Sequence, residues 1–373
     1  MSTSLSVSTT PAASPPEYNV TGIDFAQRHH LRYTGPIIDF HSHVTMTRPE
    51  EPTHGPAGGA GVAGSSDAAA LMLAEGESFG VVQTISMCAV QDIAPLRQRL
   101  GQRLLFNAMI SKKPDDPDTA AFETLERFLQ AGIVMVKLWA APRGRDRGLL
   151  VDAPWRIEAL KRARAAGIRL VMVHVADPDV WFASIYADAA RYGTKPEQYE
   201  RLMRVMDQFP DLVWIAAHMA GDPEHPDHLD ELLTRYPNLY IDTSATKWQV
   251  REVSPRRDAI RALILKHPTR FLFGTDLVTR HPLPREHYTS RYWCQRTLWE
   301  SDWEGPSPIA DPDYTPPPGQ PSTPILRGLS LPPEVLRGLY YDNALRLLQL
   351  AGHAAAISQP PETTASSPAD KLG

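Results

Sequence analysis

The chain has 373 residues, 42% hydrophobic and 22% charged, which is enough to bury a sizeable core without staples. A net charge of −5 with no Lys/Arg block argues against a nucleic-acid or anionic-membrane partner, and no apolar run approaches the ~18 residues of a membrane helix. With only two cysteines, Cys88 and Cys294, and no C-x-x-C pair, neither a disulfide framework nor a thiolate zinc site is expected.

In chain order, MSTSLSVSTTPAASPPEYNV lacks the basic and apolar segments of a signal peptide. Residues 1–35 therefore read as a disordered tail and lead-in, and the cytoplasm is the default compartment. Eight apolar runs follow: PIIDFH, GVVQTISMC, LLFNAMI, GIVMVKLW, GIRLVMVHV, LVWIAAHM, NLYIDTS and RFLFGTD. Most are too continuously apolar for a half-exposed antiparallel sheet. Between them lie amphipathic stretches with Gly or Pro stops, such as AAFETLERFLQAG, WRIEALKRARAAG and DHLDELLTRYP. Eight such repeats predict a (β/α)₈ TIM barrel over residues 36–352. A doubly wound sheet is the weaker reading, because no G-x-G-x-x-G follows the first run. Two insertions, 48–70 and 301–324, break the rhythm and read as lids or floppy loops. PPEVLRGLYYDNALRLLQLAG closes the domain as a helix pair, and 353–373 reads as a second disordered tail.

The chemistry gathers at the strand ends. FHSH places His41 and His43 one residue apart, a weak signal in a chain with 13 histidines. By strict alternation Asp39, His41 and His43 share one face, and Ile38, Phe40 and Ser42 the other. With Ile38 and Phe40 packed outward on helices, both imidazoles face the barrel mouth. His174 ends the fifth strand, His218 the sixth and Asp276 the eighth. Alone, each histidine is ordinarily a core residue, and Asp276 a helix cap. Together, at one end of one barrel, they read as a site for a single divalent ion. Zinc is the first choice and Mn²⁺ or Fe²⁺ the alternatives. Lys137, at the end of the fourth strand, is either electrostatic or a solvated lysine. Trp139, Arg143 and Arg145 form either an aromatic floor with an anion clamp or a basic loop. Arg48, Thr243 and Ser244 are similarly placed.

The ordered set FHSH, VHVAD, AAHMAG, YPNLYIDTS, RFLFGTD and LPPEVLRGLYYDNALRLL resembles the amidohydrolase superfamily across about residues 36–350. It is most similar to the amidohydrolase-related (family 2) branch that includes aminocarboxymuconate semialdehyde decarboxylase. The resemblance implies His41, His43 and His174 as imidazole ligands and Asp276 as a ligand that also takes a proton. It implies His218 as the histidine that orients water or polarises a carbonyl. From their placement alone, Lys137, Trp139, Arg143 and Arg48 are candidate substrate contacts.

The leading expectation is hydrolysis of a C–N or C–O bond in a small, carboxylated or cyclic substrate. A bound ion can lower the pKa of water from ~15.7 to about 7, supplying hydroxide at neutral pH. The alternative is non-oxidative decarboxylation of an aromatic or muconate-type acid. A non-catalytic barrel with a structural ion is the third reading. The only partner expected is a small-molecule substrate, with a homodimer as the commonest oligomer.

Overall fold

Continuous runs of Val, Ile, Leu and Met favour extended backbone buried on both faces, and each run forms a strand of one sheet. The computed structural model describes residues 17–46, 66–279 and 283–353. The strands are β1 (Ile37–His43), β2 (Val81–Met87), β3 (Leu104–Met109), β4 (Met135–Trp139), β5 (Leu170–His174), β6 (Val213–Ala216), β7 (Leu239–Asp242), β8 (Phe271–Leu272) and β9 (Leu277–Val278). All pair in parallel in the order β8-β7-β6-β5-β4-β3-β2-β1-β9. β8 and β9 are halves of one stretch interrupted at residues 273–276, so the two edges of the sheet meet there. Phe40 N donates to Phe273 O at 2.9 Å and Asp276 N to His41 O at 2.8 Å, which closes the barrel.

Helices α1 (Ser66–Ser78), α2 (Ile93–Leu100), α3 (Asp118–Gln130), α4 (Pro154–Ala165), α5 (Lys195–Gln208), α6 (Pro226–Arg235) and α7 (Arg257–Lys266) are the crossovers. α8 (Arg285–Glu300) follows β9, and α9 (Asn343–Leu350) ends the domain after a π-helical turn. Local sequence sets their limits. Thr194 and Glu197 form a capping box that starts α5. Gly167 at φ +96° reverses the chain after α4, a conformation an L side chain rarely adopts. No helix among the described residues is long and apolar enough to cross a membrane.

Two apolar layers result. Val136, Val171, Trp214 and Ile241 pack outward on Leu125, Leu160, Val205 and Leu232 of the helices. Ile38, Phe40, Met135, Met172, Ile215 and Leu272 fill the barrel interior, with Leu347 and Leu348 of α9 packed against them. Each fully buried aliphatic side chain in either layer contributes about 1.5–3 kcal/mol.

This placement corrects the alternation expected for β1. Ile38 and Phe40 point into the barrel, not onto the helices. The strand then slips register, because three steps from Asp39 to Ser42 oppose two from Thr84 to Ser86. The extra residue is a bulge that turns His41 inward directly after Phe40. Asp39 consequently leaves the face of the histidines. Its carboxylate accepts from His41 N, Thr275 N and Thr275 Oγ1 at 3.2, 3.1 and 2.6 Å, and from Tyr292 OH of α8 at 3.3 Å. Burial pushes the Asp39 carboxyl up to about 7, against the pull of these bonds. Asp39 thus ties β1 to the eighth strand and to α8.

The insertion 301–324 is ordered. Its β10 (Glu304–Pro306) pairs antiparallel with β11 (Ile325–Arg327), and Asp311 binds Arg251 at 2.5 Å. Residues 17–35 lie against the same region, with Ala310 N donating to Glu17 O at 2.8 Å and Tyr33 N to Glu300 at 2.9 Å. Of the insertion 48–70, residues 66–70 begin α1, while the remainder, including Arg48, lies outside the described residues.

Removing the buried carboxylate strands several donors together. Asp39→Ala is expected to lower the unfolding free energy by about 3 kcal/mol in a denaturant titration.

Candidate metal centre

The ends of β1, β4, β5, β6, β7 and the eighth strand deliver polar side chains to one cavity of about 1060 Å³. His41 is fully buried at its base, whereas the side chains of His43 and Asp276 are 19% and 30% exposed towards the cavity. Asp276 Oδ1 lies 3.3 Å from His41 Nε2 and 3.1 Å from His43 Nε2. These three residues offer ligand atoms that all fall within 4.8 Å of one another.

Proton bookkeeping shows which lone pairs face this group. Asp242, at the end of β7, accepts from His41 Nδ1 at 2.8 Å, from His218 N at 2.9 Å and from Ser244 N at 3.0 Å. Burial works against its charge, but His41, His218 and Ser244 hold the carboxyl well below the usual range. An ionised Asp242 only accepts, so the Ser244 hydroxyl must donate to it. Ser244 Oγ is then left to accept from His218 Nδ1 at 2.7 Å. Both rings are therefore Nδ1–H tautomers, with lone pairs on Nε2. The lone pair of His41 points at the donor group.

Lys137 is buried, 2% exposed, with Nζ 2.5 Å from His41 Nε2. It is not the solvated strand-end lysine that was one reading of the sequence. Burial lowers its pKa to about 8, opposed by Asp276 and Asp242. The ammonium sits where a cation is wanted. Two imidazole nitrogens and a carboxylate that already collect a cation suit a divalent ion. Burial lowers His43 to about 4 despite Asp276 beside it, so this imidazole is neutral and available as a ligand. Burial also holds His218 well below its ordinary value. The Asp276 carboxyl stays far below the carboxylate range, because His218, His41 and His43 outweigh its burial.

His174 takes a different position. Its Nε2 lies 2.8 Å from Asp177 Oδ1, while Tyr186 OH donates to Asp177 Oδ2 at 2.6 Å. Its free lone pair is on Nδ1, and its ring stands 4.6 Å from that of His218. The compact donor group does not include it. The structure thus draws His41, His43 and Asp276 together and sets His174 and His218 beside them.

An aromatic wall continues from here. Trp248 lies 5.5 Å from His218 and 5.2 Å from Trp181, and Trp139 lies 6.4 Å from His174. The Arg143 guanidinium lies 4.7 Å over the Trp181 ring, and its buried Nε has no partner among the described residues. Asp242, Asp177, Trp181 and Trp248 were not singled out by the strand-end argument, and Ser244 was placed there without a role. Only Asp242 carried a signal, as the inward position closing YID.

The backbone is strained where these residues sit. His218, Met219, Ala220, Ala245 and Asp276 all have φ between 55° and 67°. Non-glycine residues enter this region at a cost, and they cluster at functional sites. Gly274 permits the approach of β1 to the eighth strand, since a Cβ there would stand 3.0 Å from His41 Cβ and 3.1 Å from Ser244 Cβ.

Fold and centre together define an enzyme of the amidohydrolase-related type on a (β/α)₈ barrel. The amidohydrolase family model matches residues 38–350, and the chain belongs to that family. The fold is similar to that of an uncharacterized TIM-barrel protein from Bordetella bronchiseptica, at 17% identity and a TM-score of 0.51, covering 85% of this chain and 99% of that one. It is also similar to 2,6-dihydroxybenzoate decarboxylase from Rhizobium, at 18% identity and a TM-score of 0.50, with coverage of 85% and 99%. No curated protein matches the sequence.

Asp242→Asn would exchange an acceptor for a donor beside two imidazoles. It is expected to weaken binding of added Zn²⁺ or Mn²⁺ by about 10–100-fold in a calorimetric titration, with the fold retained.

Proposed function

We propose that the protein is a metal-dependent, non-oxidative decarboxylase of a small aromatic carboxylic acid. The observation that carries this reading is the wall of three indoles, Trp139, Trp181 and Trp248, built directly onto the His/Asp centre. A planar ring stacks between such faces with its carboxylate turned to the cationic end of the cavity. The acid named for the Rhizobium enzyme, 2,6-dihydroxybenzoate, has this shape. Hydrolysis, the leading expectation from sequence, is now the second reading. It is favoured by the ionised Asp276, which could serve as a base towards water.

His41, His43 and Asp276 would hold the ion, with His174 Nδ1 as a further donor, and zinc is the first metal to try. A divalent ion there supplies positive charge that binds the substrate's carboxylate and draws electron density from the ring. Lys137, whose Nζ approaches the same His41 lone pair, would add charge beside the ion, and Arg143 lies over Trp181. His218, neutral in its burial, is a relay more than a standing acid. Its Nε2 carries a solvent proton to the ring carbon as the bond to the carboxyl breaks. The electron pair of that bond stays on the carbon and takes the proton, and CO₂ leaves.

Two measurements test this. A panel of hydroxybenzoates, aryl amides and lactones is scored for CO₂ and for released acid. CO₂ from a benzoate without acid release is expected, and acid from an amide or lactone alone would establish hydrolysis instead. His218→Asn is expected to keep its metal content while losing at least ~100-fold in turnover. Full activity would remove His218 from the reaction.

A further inference from the structure

The cavity is also lined by polar groups that the centre does not use. Lys247, His287 and Arg291 all line it, on the short turn Thr246–Trp248 and on α8. Arg291 is 8% exposed, and its Nη1 donates to His287 O at 3.2 Å and to Ser290 Oγ at 3.1 Å. His287 Nδ1 is buried with no partner among the described residues. The three groups oppose one another's charge: Arg291 depresses Lys247, and both depress His287, in each case behind the larger effect of burial.

What is missing is an anion. Among the described residues neither Arg291 nor Lys247 makes an ion pair. The carboxylates that act on them are engaged or exposed. Asp311 and Asp313 lie 2.5 and 3.6 Å from Arg251, and Asp313 also accepts from Trp181 Nε1 at 2.9 Å. Glu17 stands at the surface. Burying a guanidinium against a second cation without a counter-charge is costly, and wherever such an arrangement lines a ligand cavity a bound anion relieves it.

We propose that Arg291, Lys247 and His287 form an anion subsite that takes a carboxylate at the end of the substrate remote from its reacting carboxyl. The substrate class is then an aromatic acid with two anionic groups. The subsite rests on the decarboxylase reading for its role in turnover, but its existence is a matter of binding and is tested separately.

The full-length protein is titrated calorimetrically with benzoate and with benzene-1,2-, 1,3- and 1,4-dicarboxylate. At least one dicarboxylate is expected to bind about tenfold or more tightly than benzoate. Arg291→Gln should abolish that gain while leaving benzoate affinity within about twofold, and Arg291→Lys should restore part of it. If Arg291→Gln does not fold, Lys247→Met is expected to reduce the gain in the same direction. The subsite is wrong if no dicarboxylate exceeds benzoate, or if the gain survives both Arg291→Gln and Lys247→Met. A dicarboxylate preference without CO₂ release from any benzoate would uphold the subsite and overturn the decarboxylase reading. CO₂ release without that preference would do the reverse.

Discussion

The centre depends on one buried carboxylate. Asp242 receives the ring N–H of His41, two backbone amides and the Ser244 hydroxyl, and through Ser244 it also governs His218. A carboxylate inside a barrel is expensive unless each lone pair is used, and here four donors use them. The return on that cost is orientation. Two imidazoles that could each adopt either tautomer are held with Nε2 unprotonated, so their lone pairs face the cavity and not the barrel wall. Asp177 does the same for His174 from the other side, leaving Nδ1 free. Each strand-end histidine whose tautomer can be read is thus fixed by a carboxylate or by a carboxylate–serine pair.

The backbone contributes through strain. Left-handed residues at 218–220, 245 and 276 bend the chain just after β6, just after β7 and between β8 and β9, and His218, Ala245 and Asp276 among them line the cavity. Each costs about 1–3 kcal/mol, and the packed layers on both sides of the sheet are what tolerate it. Gly274 and the bulge in β1 belong to the same construction. One lets two strands approach, and the other rotates His41 onto the inner face. Asp39, displaced by that rotation, becomes the tie that holds the bulge against α8.

Much of this was legible in the sequence. Continuous apolar runs with Gly and Pro stops gave the barrel, because burial on both faces leaves no other economical sheet. His41, His43, His174, His218 and Asp276 were recognisable as strand ends, which a barrel must gather at one mouth. The facing of Asp39 was misread because period-two alternation assumes an unbroken ladder, and nothing in IIDFHSH announces a bulge. The depth of Lys137 was equally unreadable, since a lysine after an apolar run looks the same whether it meets solvent or a buried imidazole. Ser244 had no visible role because its importance comes from the number of protons shared with Asp242. Arg291 and His287 lie on a helix, beyond the reach of a strand-end argument. Only the folded cavity brings them into one lining with His43, His218 and Asp276.

Tautomer control by Asp242 is the central claim, and it is open to direct observation. Nitrogen-15 NMR of the imidazoles in the metal-free protein, with His41 assigned by substitution, reports which ring nitrogen carries the proton. A His41 with Nδ1 protonated and Nε2 bare, changing in the Asp242→Asn variant, is the predicted result. A His41 protonated at Nε2, or one indifferent to the loss of the Asp242 carboxylate, would contradict the account.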